Sequence, residues 1–226
     1  MINKSKSVKG ILGISVLSIL IMYIFEGSGM TGYFQKSAIK IIMFLGLPVV
    51  YTLYDKNIKI RDNFKIRLKK DLVASLVLGI GVYVVILTAY FILKDFIDLS
   101  NIIELLDKNV SVNQENFLWV ALYISFVNSL LEEFFFRGFI FLNLKKTGGR
   151  KFAYISSALV FSIYHVAIMG SWFKPIIFVI AMTGLFVGAL IFNYLNEKSN
   201  NIYNSWLVHM MANLAINTVG FKPYVN

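Results

Sequence analysis

Two carboxylates, two imidazoles and one guanidinium lie inside long apolar stretches of this sequence. They belong to Glu132, Glu133, Arg137, His165 and His209, and the last two are the only histidines in the chain. An ionisable group at the centre of a membrane helix costs about 3 kcal/mol or more, so such groups are candidates for a functional site by default. Together with the carboxamide of Asn213, they suit the hydrolysis of an amide bond.

The two carboxylates are adjacent in the sequence but have different neighbours. Glu133 and Arg137 are four residues apart, so they can pair on one helix face, and an ion pair that only helps the helix to insert and pack is an equally good interpretation. Glu132 has no such partner in its own helix. A buried carboxylate without a partner gains affinity for a proton, as a general base requires. A polar stripe with i, i+3, i+4, i+7 spacing ends at this residue: Ser125, Asn128, Ser129 and Glu132.

The histidines lie on two later apolar stretches. His165 follows Phe161 by four residues, and a lone histidine or phenylalanine on an apolar helix is commonly a packing residue. One face of the last stretch carries a polar residue every four positions: Ser205, His209, Asn213 and Asn217. Hydrogen-bonding glue between membrane helices is the simpler interpretation of Ser205 and Asn217. The carboxylate pair on the preceding stretch favours a functional interpretation of His165, His209 and Asn213.

The residue types predict a division of labour for amide hydrolysis. Glu132 can take a proton from water, His165 can help to hold that water, and donors from His209 and Asn213 can stabilise the oxyanion. A helix rise of about 1.5 Å per residue puts these groups at similar depth in the membrane. Two histidines and one glutamate are also a ligand set that zinc hydrolases use, although HExxH spacing is absent. A serine triad fits poorly because the sequence has no GxSxG motif.

These residues must be positioned by membrane helices. Of the 226 residues, 58% are hydrophobic and only 15% are charged, against about 25% charged in ordinary soluble domains. This balance excludes a disordered chain and argues against a soluble enzyme. The absence of cysteine excludes disulfides and a thiol nucleophile. We expect one integral membrane domain over residues 1–226.

Apolar segments predict the architecture. A membrane helix needs about 20 apolar residues, and seven segments come close, so we expect an all-α, polytopic transmembrane bundle of about seven helices. Lys40 lies near the start of the second segment, where it can snorkel to the surface. The polar stretch 94–116 is interpreted as a loop with a short interfacial helix. The segments are 8–25, 37–54, 71–93, 117–144, 152–169, 174–195 and 202–220.

The charge pattern predicts location and orientation. The formal net charge is +10, but the basic residues lie in short loops between apolar segments, so the expected partners are membrane lipids and not nucleic acid. Loop 55–70 alone carries seven of them. The positive-inside rule then predicts a multi-pass protein of the cell membrane with a cytoplasmic N-terminus.

Three motifs carry a family resemblance. Glu132-Glu133-x-x-x-Arg137, Phe161-x-x-x-His165 and His209-x-x-x-Asn213 resemble, in order, those of the CPBP family of CAAX prenyl endopeptidases and bacteriocin-processing or immunity membrane proteins, also called the Abi family. The resemblance covers about residues 117–217, the predicted catalytic core. It implies a helical bundle with a conical, water-filled cavity and an intramembrane endopeptidase whose site faces the cytosolic leaflet.

The resemblance also implies roles for the motif residues. Glu132 would be the general base, His165 its water-holding partner, and His209 and Asn213 the oxyanion hole. Glu133 and Arg137 would support the site. Family members are often called metalloproteases, but the same residues fit a metal-free glutamate mechanism equally well. The cofactor therefore stays open, with zinc as one possibility.

The physiological role has several interpretations. The short chain, rich in lysine, asparagine and isoleucine, favours a bacterial origin. Substrates of a bacterial member include peptide pheromones, bacteriocin leaders and membrane-protein tails. A non-enzymatic bacteriocin immunity protein would need the fold but not Glu132 as a base. A proton-coupled transporter also uses intramembrane Glu and His, but the sequence shows neither repeats nor a pair of broken helices.

Overall fold

The secondary structure of the described chain is helical throughout, which confirms the all-α prediction. The computed structural model describes residues 4–27, 32–65 and 69–225. Arg67, one of the basic residues of loop 55–70, lies outside them. Short 3-10 turns at Arg61–Phe64 and Lys94–Phe96 join the longer helices. These are α1 Lys4–Gly27, α2 Tyr33–Tyr54, α3 Lys69–Leu93, α4 Leu99–Val110, α5 Phe117–Thr147, α6 Arg150–Met169, α7 Pro175–Ser199 and α8 Tyr203–Val225.

The chain is a multi-pass membrane protein. Within the described residues, six helices are long and apolar enough to cross a membrane, namely α1, α2, α3, α5, α6 and α7. The seventh predicted span is α8, a helix of 23 residues that is not among those six. Its inward-facing polar side chains lower its hydropathy, although its length is sufficient for a crossing. The prediction of about seven spans is therefore close to the six helices that qualify.

The third helix shows how the bundle meets lipid. Val73 and Val77 are 62% and 65% exposed, as expected of side chains that face acyl chains. Lipid provides no hydrophobic force between helices, so close backbone approach and van der Waals contact must hold them together. Gly79 provides that approach to α8, because a Cβ there would lie only 2.9 Å from Cγ of Met211.

An aromatic cluster joins α2 to the centre of the bundle. Phe44 is fully buried and stacks on Phe135 of α5, with ring centroids 4.2 Å apart. Its edge-to-face neighbours are Phe136, at 5.4 Å, and Tyr164 of α6, at 5.2 Å. Aromatic pairs of this kind contribute about 0.5–1.5 kcal/mol beyond their buried area. The cluster holds α2 against the helices that carry the candidate site.

The fifth helix departs from regular α-helical geometry. Its α-helical parts, Phe117–Leu122, Ser129–Glu132 and Leu142–Thr147, alternate with π-helical segments at Tyr123–Asn128 and Glu133–Phe141. The predicted spacing of the polar stripe assumed a uniform α-helix, and that assumption is wrong because each π segment widens the helix. The stripe residues are nevertheless buried. π-Helical turns inside α-helices are frequent at functional sites, and Glu132 lies between two of them.

The acidic connection before α5 forms the short helix that the sequence predicts. α4 begins at Leu99, and the carboxylate of Asp98 caps it by accepting a hydrogen bond of 3.0 Å from the backbone N–H of Asn101. Ser111 ends the helix in the left-handed conformation, with φ of 55°. The connection is therefore ordered between α3 and α5.

Candidate active site

Glu132 lies at the centre of a buried polar cluster and is only 2% exposed. Its Oε1 accepts a hydrogen bond of 2.9 Å from Nδ2 of Asn128, one turn earlier on α5. The same oxygen lies 3.4 Å from Nζ of Lys40 on α2. The expectation that Glu132 is an unpaired carboxylate is therefore wrong, because its ionic partner comes from another helix.

Lys40 is buried beside the candidate base instead of snorkelling to the surface. Its ammonium donates a hydrogen bond of 2.8 Å to Oδ1 of Asn128 and lies 5.1 Å from the ring centroid of Tyr164. Lys40 was not predicted as a site residue, because it lies near the end of a span. A signal was present, since Glu132 has no i, i+4 cation in its own helix and Lys40 lies inside the predicted span 37–54.

Glu133 organises a second set of contacts and is fully buried. Its Oε1 accepts a hydrogen bond of 2.9 Å from Nδ1 of His209 and lies 3.1 Å from Nη1 of Arg137. The predicted i, i+4 ion pair is therefore present. Its other oxygen accepts a hydrogen bond from the hydroxyl of Ser205, which in turn accepts one of 2.7 Å from Nδ2 of Asn196. Ser205 thus forms the hydrogen bonds between helices that the sequence predicts, and one of them joins α8 to this carboxylate.

Arg137 is stabilised by aromatic faces. The guanidinium carbon lies 4.2 Å from the ring centroid of Phe161 and 4.9 Å from that of Phe192. The contact with Glu133 is an ion pair without good hydrogen-bond geometry, and the guanidinium nitrogens have no hydrogen-bond acceptor among the described residues. Cation–π attraction is strongest for desolvated cations. Phe161 is therefore a partner of Arg137 as well as a packing residue.

His209 lies between the two carboxylates. Nδ1 faces Glu133, and Nε2 lies 3.8 Å from Oε2 of Glu132, too far for a direct hydrogen bond. The imidazole stacks on Phe192 with centroids 5.4 Å apart and meets the edge of Phe161 at 5.9 Å. Residues 132 and 209, distant in sequence, thus face each other, as the depth argument predicted.

His165 has one of its two ring nitrogens engaged. Its Nδ1 lies 2.8 Å from the carbonyl oxygen of Phe161. A carbonyl only accepts hydrogen bonds, so Nδ1 carries the proton, and Nε2 of the neutral ring is then an acceptor. The ring is in electrostatic contact with Glu132. This tautomer suits a residue that accepts a hydrogen bond from water.

Asn213 and Asn217 both bind backbone carbonyls of α5. Nδ2 of Asn213 donates a hydrogen bond of 3.2 Å to the carbonyl of Ile124, within the first π segment. Nδ2 of Asn217 donates to the carbonyl of Ala121 at 3.2 Å and to the hydroxyl of Ser125 at 3.1 Å. Asn213 uses one of its two amide hydrogens in this way, and it lies one turn beyond His209 on α8.

The acidic and imidazole groups do not form a metal-binding set. No group of three or more His, Asp or Glu side chains in the described ranges has an arrangement that could hold a metal ion. This arrangement therefore gives no support to the zinc that the ligand types suggested.

A family model matches the part of the chain that carries most of the site. Residues 114–215 match the family described as Type II CAAX prenyl endopeptidase Rce1-like. This part of the chain is similar to that family, and we refer to residues 114–215 as the Rce1-like domain. The match confirms the resemblance to the CPBP family and supports a peptidase. The curated proteins and the solved structures gave no match. The Rce1-like domain contains α5, α6 and α7 and most of α8, so it holds both carboxylates, both histidines and Asn213, whereas Lys40 lies outside it.

Proposed function

We propose that the protein is an intramembrane endopeptidase in which Glu132 activates water to hydrolyse a peptide bond of a membrane-associated peptide or protein. The observation that carries the proposal is the approach of Oε2 of Glu132 to Nε2 of His209, at 3.8 Å in a buried site. The Rce1-like domain supports the reaction class, because its family is named for a prenyl endopeptidase.

The geometry supports a specific role for each oxygen of Glu132. Oε1 is engaged by Asn128 and Lys40, so Oε2 is the oxygen left to take a proton from water. His165 presents Nε2 as an acceptor, which helps to orient that water. General-base catalysis of this kind contributes about 10²–10⁴-fold to a rate. The proton can then pass to the leaving amine from the same carboxyl group.

His209 acts as an oxyanion donor only in its protonated form. Its Nδ1 faces the Glu133 carboxylate, which only accepts hydrogen bonds when ionised, so Nδ1 carries a proton. Donation from Nε2 then requires the imidazolium. Glu133 holds the ring through Nδ1, and this gives Glu133 a positioning role that acts through His209. The free amide hydrogen of Asn213 is the second proposed donor.

Glu132→Gln tests the proposal directly. Glutamine keeps the hydrogen bond from Asn128 but cannot take a proton, so cleavage should fall by at least about 10²-fold. The assay is hydrolysis of a panel of membrane-anchored peptides by the protein in proteoliposomes. Glu197→Gln, which removes a carboxylate paired with Arg150 outside the site, is the matched control and should stay active.

The same variant separates an enzyme from a non-enzymatic immunity protein. An immunity protein that works by binding a bacteriocin should remain protective in cells that carry Glu132→Gln. Undiminished cleavage or protection by this variant would remove the basis for the enzyme proposal.

The orientation of the bundle sets which substrates can reach the site. The charge pattern supports a cytoplasmic N-terminus with the site open to the cytosolic side, and the composition, rich in lysine, asparagine and isoleucine, supports a bacterial cell membrane. Single cysteines can test this without background, because the chain has none. A membrane-impermeant thiol reagent added to intact cells should label Ser100→Cys and spare Thr147→Cys. The reverse pattern would place the site on the outer side.

A further inference from the structure

A buried cation from outside the Rce1-like domain contacts the candidate base. Lys40 belongs to α2 and is 9% exposed, although its helix is otherwise apolar over most of its length. We infer that Lys40 is a positioning residue that holds Glu132 ionised and directs its Oε2 towards the reacting water. The inference rests on the proposed function, because it assigns Lys40 a part in the reaction of Glu132.

Three contacts form a closed ring around one carboxylate oxygen. Lys40 Nζ lies 2.8 Å from Oδ1 of Asn128 and 3.4 Å from Oε1 of Glu132, and Asn128 Nδ2 lies 2.9 Å from the same Oε1. The carbonyl oxygen of Asn128 accepts from Lys40 and its amide nitrogen donates to Glu132, so these two neighbours determine how the side-chain amide is oriented. The ring fixes the rotation of the carboxylate and leaves Oε2 facing His209 at 3.8 Å.

Lys40 is the cation best placed to act on Glu132. Arg137 is already paired with Glu133 at 3.1 Å. His165 and His209 are cations only when protonated. An ammonium within about 4–6 Å of a carboxylate favours the ionised carboxylate. The charged and titratable groups in electrostatic contact with Glu132 from the packed elements are Tyr33 and Lys40 of α2, Arg137 of α5, Tyr164 and His165 of α6 and His209 of α8.

The chain offers a matched control one turn earlier on the same helix. Lys36 is also buried, at 4% exposure, but its ammonium contacts Glu26, with Oε2 at 3.2 Å and the backbone carbonyl at 3.2 Å. Removing either lysine takes one buried positive charge from α2. Only the removal of Lys40 takes it from the candidate base.

The pH dependence of kcat/KM tests the role, because it reports the essential base of the free enzyme. The assay uses a membrane-anchored fluorogenic peptide that the wild-type protein cleaves in proteoliposomes. Lys40→Met should move the acid limb of the profile up by about 1–3 pH units. Its deficit should be at least about tenfold in buffer more acidic than the original limb and should shrink as the pH rises above the shifted one. Lys40→Arg should keep the acid limb near its original position, and Lys36→Met should leave it unmoved.

Some results would overturn the inference. An equal loss of activity at every pH would show that Lys40 only fills space, and an unshifted profile with full activity would show that it has no role. An equal shift of the acid limb in Lys36→Met would assign the effect to the general charge of α2.

Unfolding measurements keep the test decisive if Lys40→Met is too unstable to assay. Removing one partner of a buried ion pair leaves the other charge uncompensated. Lys40→Met should therefore lower the unfolding midpoint in detergent, and adding Glu132→Gln should restore part of the loss. Additive losses would refute the pairing. The unfolding measurement needs no catalytic activity, so it tests the pairing of Lys40 with Glu132 by itself. Activity in the Glu132→Gln protein would refute the proposed function without deciding the pairing. An unshifted acid limb in Lys40→Met would refute only the inference about Lys40.

Discussion

Arg137→Met should strongly destabilise the bundle. The guanidinium is fully buried and pairs with Glu133 at 3.1 Å. Removing one partner of such a pair leaves a buried, uncompensated charge and costs about 3–5 kcal/mol. Loss of the cation–π contacts with Phe161 and Phe192 adds about 0.5–2 kcal/mol, part of which the apolar methionine side chain offsets. We therefore expect a loss of about 3–5 kcal/mol in the free energy of unfolding.

The assay is denaturant unfolding in detergent micelles, followed by the fluorescence of the three tryptophans. Arg150→Met is the matched control, because Arg150 is mostly exposed and its pair with Glu197 is solvated. Its removal should change stability little, as for other surface ion pairs. The comparison thus separates the effect of burial from the effect of losing an arginine.

A double variant sharpens the reasoning. The guanidinium nitrogens lack hydrogen-bond acceptors, so the pair offsets its own desolvation poorly. Replacing both partners of such a pair is often neutral or stabilising. Glu133→Gln combined with Arg137→Met should therefore recover about half of the loss, since the glutamine carbonyl can still accept the hydrogen bond from His209, although its amide nitrogen cannot accept the one from Ser205. A double variant less stable than Arg137→Met, or a single variant that loses less than about 1 kcal/mol, would refute the account.

Three further predictions follow from individual contacts. Asn213→Ala should lower kcat/KM by about 10²–10³-fold if it is an oxyanion donor, whereas Asn217→Ala should mainly lower the unfolding midpoint; equal losses of activity would indicate packing alone. Gly79→Val should lower the unfolding midpoint because a Cβ would lie 2.9 Å from Cγ of Met211, and Gly81→Val should not because nothing lies within 4 Å of its Cβ. EDTA or 1,10-phenanthroline should leave cleavage intact in proteoliposomes, because no group of three or more His, Asp or Glu side chains in the described residues could hold a metal ion, and a loss that added zinc restores would show that cleavage uses a metal.

Much of the site could be predicted because membranes penalise charge so heavily. Glu133 and Arg137 were recognisable as a pair from their spacing, and the convergence with His209 followed from similar depth on separate helices. Lys40 could not be assigned in the same way, because its contact with Glu132 depends on how α2 is rotated against α5. The hydrogen bond from Ser205 to Glu133 has the same origin. Spacing within one helix specifies a face but not the helix that this face meets.

The π segments of α5 explain why so many polar side chains surround the site. Backbone carbonyls in these segments accept hydrogen bonds from side chains of other elements: Ile124 from Asn213, Phe126 from Trp206, Phe136 from Ser157 and Gly138 from Asn63. An unsatisfied carbonyl is costly inside a membrane, so these donors help to stabilise the widened geometry. These four donors thus support the two segments on either side of Glu132. Loss of one such donor should therefore disturb the orientation of the carboxylate as well as helix packing.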